Sequence, residues 1–166
     1  LSKRILVITG NGKGKTTSAI GLIIRSLGHK KKVSLFKFFK SQPSGEDKIL
    51  KNLGVKIFKF KKAFFFKPSK IPKDLKIECQ RLWREVEKES ENKNLVILDE
   101  INLALSANII KKEVFKKFLN TTKSNIVCTG RNAPLWLQKI ADTVSEIKEK
   151  KHIYIKGIKA QEGIEF

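Results

Sequence analysis

The stretch Gly10-Asn11-Gly12-Lys13-Gly14-Lys15-Thr16-Thr17 constrains this chain more than any other, because of what stands on either side of it. Before it, Ile5 to Ile8 is a short, wholly apolar run, which reads as a strand buried on both faces of a parallel sheet. After it, Ala19, Ile20, Leu22, Ile23, Ile24 and Leu27 recur as the buried side of a helix does, and Gly28 is the expected left-handed terminator. A glycine- and lysine-rich turn between a buried strand and a helix is the setting of a phosphate-binding loop. Glycines let successive backbone N–H groups turn inward around anionic oxygens, and the helix N-terminus adds its partial positive charge. Lys15 is placed to reach distal phosphates of ATP, the Thr16 hydroxyl to bind Mg²⁺, and Lys13 adds a further cation within the loop. The strict G-x-x-x-x-G-K-T pattern puts glycine at position 9, where this chain has Thr9, so the loop is a variant.

The remainder of the chain repeats the alternation. Strands are expected at Val33 to Phe39, Val55 to Phe60, Leu95 to Leu98 and Ile126 to Thr129, with an edge strand at Val144 to Ile147. Helices are expected from about Asp47 to Leu53, from Asp74 to Ser90 with Ile77, Leu82 and Val86 on its apolar face, near Lys112 to Leu119, and up to about Ala141. This order implies an α/β fold: a mostly parallel sheet with helices on both faces, of the P-loop NTPase, RecA-like kind, in a single domain spanning 1–166. The strand from Leu95 ends in Asp99 and Glu100, and a carboxylate pair at a sheet's C-terminal edge holds Mg²⁺ directly or through water.

Composition limits the partners. The net charge is +20, which favours polyanions, yet only five of the 36 basic residues are arginine, the residue that base-edge and bidentate phosphate recognition rely on. Scattered lysines read better as a solvated surface, so nucleic acid is not the expected partner. Cys79 and Cys128 lack metal or disulfide spacing and read as buried thiols, and His29 and His152 have no ligand-spaced partner. No stretch is long and apolar enough for a membrane span, and the first residues run straight into a strand, so a cytoplasmic location is expected. A motor acting on nucleic acid would need a track-binding domain, and a small-molecule kinase would need lid arginines; neither is visible in the sequence.

Further motifs resemble one family, the P-loop type corrinoid adenosyltransferases. They are Thr9 to Thr17, Lys31-Lys32-Val33, Phe38-Phe39-Lys40, Gly45-Glu46, Leu98 to Asn102, Thr129 to Pro134 and Gly157 to Phe166, and together they cover nearly the whole chain. The resemblance implies displacement at the 5′ carbon of ATP by cob(I)alamin or a related corrinoid, with tripolyphosphate as the leaving group. It implies that Lys13, Lys15, the loop amides and a Mg²⁺ held by Thr16 and Glu100 stabilise that group, with Asp99 beside them. Lys15, Glu100 and Arg131 would then be the catalytic residues, Arg131 touching phosphate or ribose and Asn132 hydrogen-bonding nearby. The family binds ATP reversed relative to ordinary P-loop enzymes, which Thr9 is compatible with. Its corrinoid pocket uses aromatic residues on the loop that here reads Ala63-Phe64-Phe65-Phe66, where relatives often have glycine first and tryptophan fourth. Phe64 and Phe66 would exclude the lower axial ligand of the corrinoid; alternatively the phenylalanines fill a core. The resemblance further implies a homodimer and an electron-donating reductase or flavodoxin. In relatives a helix often precedes the first strand and covers the corrinoid site of the partner subunit; in this sequence four residues precede Ile5.

Overall fold

The computed structural model describes residues 3–64, 70–151 and 161–164. Six strands form one sheet, β1 (Ile5–Thr9), β2 (Val33–Lys37), β3 (Lys56–Lys59), β4 (Leu95–Asp99), β5 (Asn125–Thr129) and β6 (Thr143–Glu146), in the spatial order β3-β2-β4-β5-β1-β6. Every pairing is parallel, so the sheet is wholly rather than mostly so. Parallel strands need crossovers, and the helices supply them: α1 (Lys15–Gly28), α2 (Gly45–Asn52), α3 (Lys73–Ser90), α4 (Ile101–Ser106), α5 (Lys112–Thr121) and α6 (Leu135–Ile140).

Alternation along the central strands divides the core in two. Ile8, Leu35, Leu95, Ile97 and Val127 meet α1 through Ala19 and Ile23, and meet α2 through Leu50. Val7, Phe36, Val96, Leu98, Ile126 and Cys128 face the other way, onto Leu75, Cys79, Leu82, Trp83 and Val86 of α3 and Phe115 and Phe118 of α5. Both faces are covered, which is why the central strands read as unbroken apolar runs. Both cysteines are buried and free, and burial pushes the Cys79 thiol up to about 12.

Four expectations need correction. Gly28 is the last helical residue of α1 and has no positive φ; the left-handed position is Lys30 (φ 54°), where the Lys30 and Lys31 N–H groups close back on the carbonyls of Leu27 and Ser26. Ile77 is 56% exposed, because the buried stripe of α3 runs through Leu75, Glu78, Leu82 and Val86 instead. Strand β2 stops at Lys37, since Phe39 turns left-handed (φ 61°) and leaves the ladder. Helix α4 was not expected; it is too short for a helical period to stand out between the carboxylates of β4 and the next loop. Among the described residues no helix is long and apolar enough to cross a membrane.

Candidate functional site

The carboxyl ends of β1, β4 and β5 lie side by side, and the loops leaving them build one polar cleft, the usual place for a ligand in an open α/β sheet. The phosphate loop leaves β1 at Thr9, whose φ is not positive, and the left-handed turn falls on Gly10 (φ 102°). A Cβ on Gly10 would lie 2.3 Å from the Ile147 carbonyl oxygen, so only glycine fits there. That carbonyl accepts the Gly12 N–H at 2.8 Å, while the Ile147 N–H donates to the Thr9 carbonyl at 2.8 Å. The chain after β6 thus walls the back of the loop. The Gly12 amide is directed at that wall, contrary to the expectation that the loop amides all turn inward. Gly14 (φ 113°) then starts α1, and Asn11, Lys13 and Thr17 lie on the exposed side.

Lys15 is buried, its Nζ donating to the Gly12 carbonyl at 2.7 Å, so it lies folded along its own loop. Burial pushes its ammonium below the ordinary lysine range; Glu100 and Asp99 work against this, Arg131 and Lys40 with it. These interactions bring Lys15, Asp99, Glu100 and Arg131 into one electrostatic field, although Arg131 itself is exposed.

Asp99 is the hub. Fully buried, its Oδ1 accepts the Thr16 hydroxyl at 2.8 Å and the Thr129 hydroxyl at 2.6 Å, and its Oδ2 accepts Lys40 Nζ at 2.8 Å. Lys40 Nζ also lies 3.4 Å from Thr16 Oγ1. The Thr129 oxygen accepts the backbone N–H of Glu100 at 3.1 Å and so fixes that residue in a left-handed conformation (φ 63°), uncommon for glutamate. Burial raises the Glu100 carboxyl above the usual range and Asp99 adds to this, against Lys40, Lys15 and Arg131. Two carboxylates held this close in a buried cleft favour a cation between them.

The turn after β5 closes the cleft. Gly130 (φ 124°) passes so near β4 that a Cβ would lie 3.1 Å from the Glu100 Cα. Asn102, fully buried, donates its Nδ2 to the Gly130 carbonyl at 3.0 Å and to the Ile8 carbonyl at 3.3 Å. At the other end of the turn the Ala133 N–H donates to Thr9 Oγ1 at 3.2 Å. Arg131 and the left-handed Asn132 (φ 55°) stand between, both exposed.

Phe64 lies apart from this cluster. It packs edge-on to Phe60 with ring centroids 5.8 Å apart, and Phe60 meets Phe39 at 5.4 Å, giving a half-buried aromatic ledge beyond β2 and β3. Phe66 lies outside the described residues, as do His152 and most of the Gly157 to Phe166 motif.

A family model described as ATP:corrinoid adenosyltransferase BtuR/CobO/CobP matches residues 2–166. The chain belongs to this family. A corrinoid adenosyltransferase of Escherichia coli (strain K12) is 34% identical over 167 residues, covering 98% of this chain and 85% of that protein. The corresponding proteins of Salmonella typhimurium and Pseudomonas aeruginosa are each 32% identical, covering 98% of this chain and 85% and 83% of theirs. Among solved structures, a KaiC-like protein from Pyrococcus horikoshii OT3 superposes with a TM-score of 0.50 over 91% of this chain and 74% of that one; at 16% identity it shows the fold alone, a parallel α/β sheet flanked by helices.

Within this corrinoid adenosyltransferase family member, three side chains of the cleft had no role assigned from the sequence: Lys40, Thr129 and Asn102. Each falls inside a motif that carried the resemblance, yet each acts through a partner 28 to 94 positions away. Spacing along the chain gives no signal for such contacts; the register of β2, β4, β5 and β1 does.

Proposed function

We propose that this chain transfers the 5′-deoxyadenosyl group of ATP to the cobalt of a reduced corrinoid, cob(I)alamin or a related compound, in adenosylcobalamin synthesis or salvage. The observation that carries this reading is the family match over residues 2–166, which takes in the phosphate loop and both carboxylates. The cobalt lone pair attacks the 5′ carbon, the carbon–oxygen bond to the triphosphate breaks, and its electron pair leaves on tripolyphosphate. Charge grows on the leaving group, so catalysis rests on cations aimed at it. Lys15 rotates from the Gly12 carbonyl to the triphosphate, and Arg131 swings in from the rim.

The residues present fit Mg²⁺. The donors are hard oxygens, and the Lys40 ammonium already stands as a cation beside Asp99 and Thr16. Because Thr16 gives its proton to Asp99, its lone pairs are left for a metal, with Glu100 as a second ligand; Asp99 orients Thr16 and joins them, directly or through water, where Mg²⁺ displaces the Lys40 ammonium from its Oδ2. When bound, Mg²⁺ neutralises triphosphate charge. On the same reading Asn132 hydrogen-bonds the nucleotide. Phe64 and Phe66 line the corrinoid side, and the protein works in the cytoplasm as a homodimer supplied with electrons by a reductase or flavodoxin.

The test is an anaerobic reaction of chemically reduced cobalamin with MgATP, following the cob(I)alamin spectrum and the phosphate product. Light-sensitive adenosylcobalamin with tripolyphosphate is the expected result; a silent spectrum with ADP and phosphate would overturn the reading. Phe64→Ala is expected to keep MgATP binding and lose adenosylation. Retained adenosylation would remove Phe64 from the corrinoid site.

A further inference from the structure

The threonine that breaks the strict phosphate-loop pattern has a partner. Thr9 is the last residue of β1, 7% exposed, and its backbone does not need glycine because Gly10 makes the left-handed turn. Its hydroxyl oxygen accepts the N–H of Ala133, a buried residue whose amide would otherwise have no partner among the described residues. A buried unpaired N–H is costly, so the turn is held where that bond can form.

We propose that Thr9 is a positioning residue: through Ala133 it fixes the turn that presents Arg131 to the phosphate loop. Among the described residues the turn has two fastenings on the end of β1, and the Ala133 carbonyl also accepts Gln138 Nε2 of α6 at 2.7 Å. Asn102 joins the Gly130 carbonyl to the Ile8 carbonyl, and Thr9 holds Ala133. Between them only Arg131 and Asn132 are exposed, so with both ends held the guanidinium samples a short arc above the cleft. A glycine at position 9, as the strict pattern has, supplies no acceptor, and the Ala133 end of the turn is then held from α6 through Gln138 and no longer tied to β1. The departure from the pattern therefore couples the loop to an arginine more than a hundred positions along the chain. The proposal rests on the reading of Arg131 as a phosphate or ribose contact, and it does not depend on the corrinoid.

The test compares Thr9→Val, which keeps the shape and removes the acceptor, with Thr9→Ser, which keeps the acceptor. In the nucleotide-free protein, Thr9→Val is expected to speed amide exchange at Ala133 about tenfold or more while Val127 and Cys128 in β5 stay protected, and Thr9→Ser to restore slow exchange. MgATP affinity, measured by calorimetry, is expected to fall about fivefold in Thr9→Val and to be unchanged by the same substitution in an Arg131→Ala background. In steady state the weaker binding is expected to appear as a rise in KM for ATP of about the same size. Unchanged exchange at Ala133, or an equal loss of affinity with and without Arg131, overturns the proposal, because a merely structural Thr9 acts equally in both backgrounds. If the wild-type protein binds MgATP but does not adenosylate cobalamin, the proposed reaction fails while the exchange and affinity cycle still decide the role of Thr9.

Discussion

Two lysines near the end of β2 each meet a buried aspartate, and the two pairs are built differently. Lys37 and Asp47 are both 2% exposed, and the Lys37 ammonium donates to Ser44, Glu46 and Asp47, which uses all three of its protons. Asp47 in turn accepts from Lys59 and from the Ser44 N–H, so the network also caps the start of α2. Lys40 meets an equally buried aspartate, Asp99, but its own side chain is 41% exposed, and its ammonium makes one short hydrogen bond, to Asp99, and one long one, to Thr16. The first network is closed on itself and leaves no valence for a ligand. The second holds a cation by one good hydrogen bond at the mouth of a cleft, beside Glu100, whose carboxyl accepts no hydrogen bond from the described residues. Saturation separates the structural pair from the exchangeable one, although composition and spacing make them look alike.

The comparison can be broken at the Lys37 pair first, where the effect is largest. Asp47→Ala leaves a buried ammonium short of its main counter-ion, and a loss of about 3–5 kcal/mol in urea unfolding is expected. A loss below about 1 kcal/mol, the range of exposed pairs, would show that the network is wetter than its geometry says. Lys40→Met is the counterpart. It leaves the fully buried Asp99 carboxylate without its cation but with the Thr16 and Thr129 hydroxyls still on it, so a loss of about 1.5–3 kcal/mol, smaller than for Asp47→Ala, is expected. It should tighten Mg²⁺ binding to the nucleotide-free protein about fivefold, because a competing charge is removed from beside Asp99 and Thr16. Weaker Mg²⁺ binding in that variant, read by titration calorimetry, would mean that the ammonium does not stand in the metal's place.

The same contrast explains what was legible in the sequence. The phosphate loop, β1, α1 and the carboxylates of β4 were readable because strand, loop and helix follow each other directly, and each residue type has a local reason. The mirrored cores followed from unbroken apolar runs at β4 and β5. Ile77 was misplaced because a charged helix with few apolar residues leaves its buried stripe ambiguous, and Glu78 took part of that stripe by pairing with Arg81. Lys40 was missed for another reason: in a chain so rich in lysine, nothing local sets one apart. Only the alignment of β2 beside β4, Lys37 opposite Asp99, and the left-handed turn at Phe39 carry its ammonium back to the cleft. The Thr9 to Ala133 contact is of the same kind, a link between loops that no spacing announces.

The smallest effect expected is on pH dependence, and it separates the two pairs by sign. Burial alone would raise the Asp47 carboxyl, but the hydrogen bond and charge of Lys37, with Lys59, hold it below the usual carboxylate range. A depressed folded value means that the unfolded chain binds the proton more readily. The stability from this pair is therefore present above the unfolded value of about 3.9 and is lost as pH falls through the folded one. For Lys40 burial works downward, yet Asp99 raises its ammonium above the ordinary lysine range. Its contribution is present below about 10.4 and is lost as pH rises through the folded value. Asp47→Asn should therefore flatten the acid arm of an unfolding profile and leave the alkaline arm alone, while Lys40→Met flattens the alkaline arm and, by removing a charge that holds Glu100 down, steepens the opposing contribution of Glu100 to the acid arm. Glu100 opposes the acid arm, because its raised carboxyl takes up a proton sooner in the folded state, so the acid arm is compared between Asp47→Asn and the parent protein rather than read from the parent alone. Equal acid arms in the two would mean that Asp47 keeps its proton affinity on folding, and the closed network would then have to be reread as an open one.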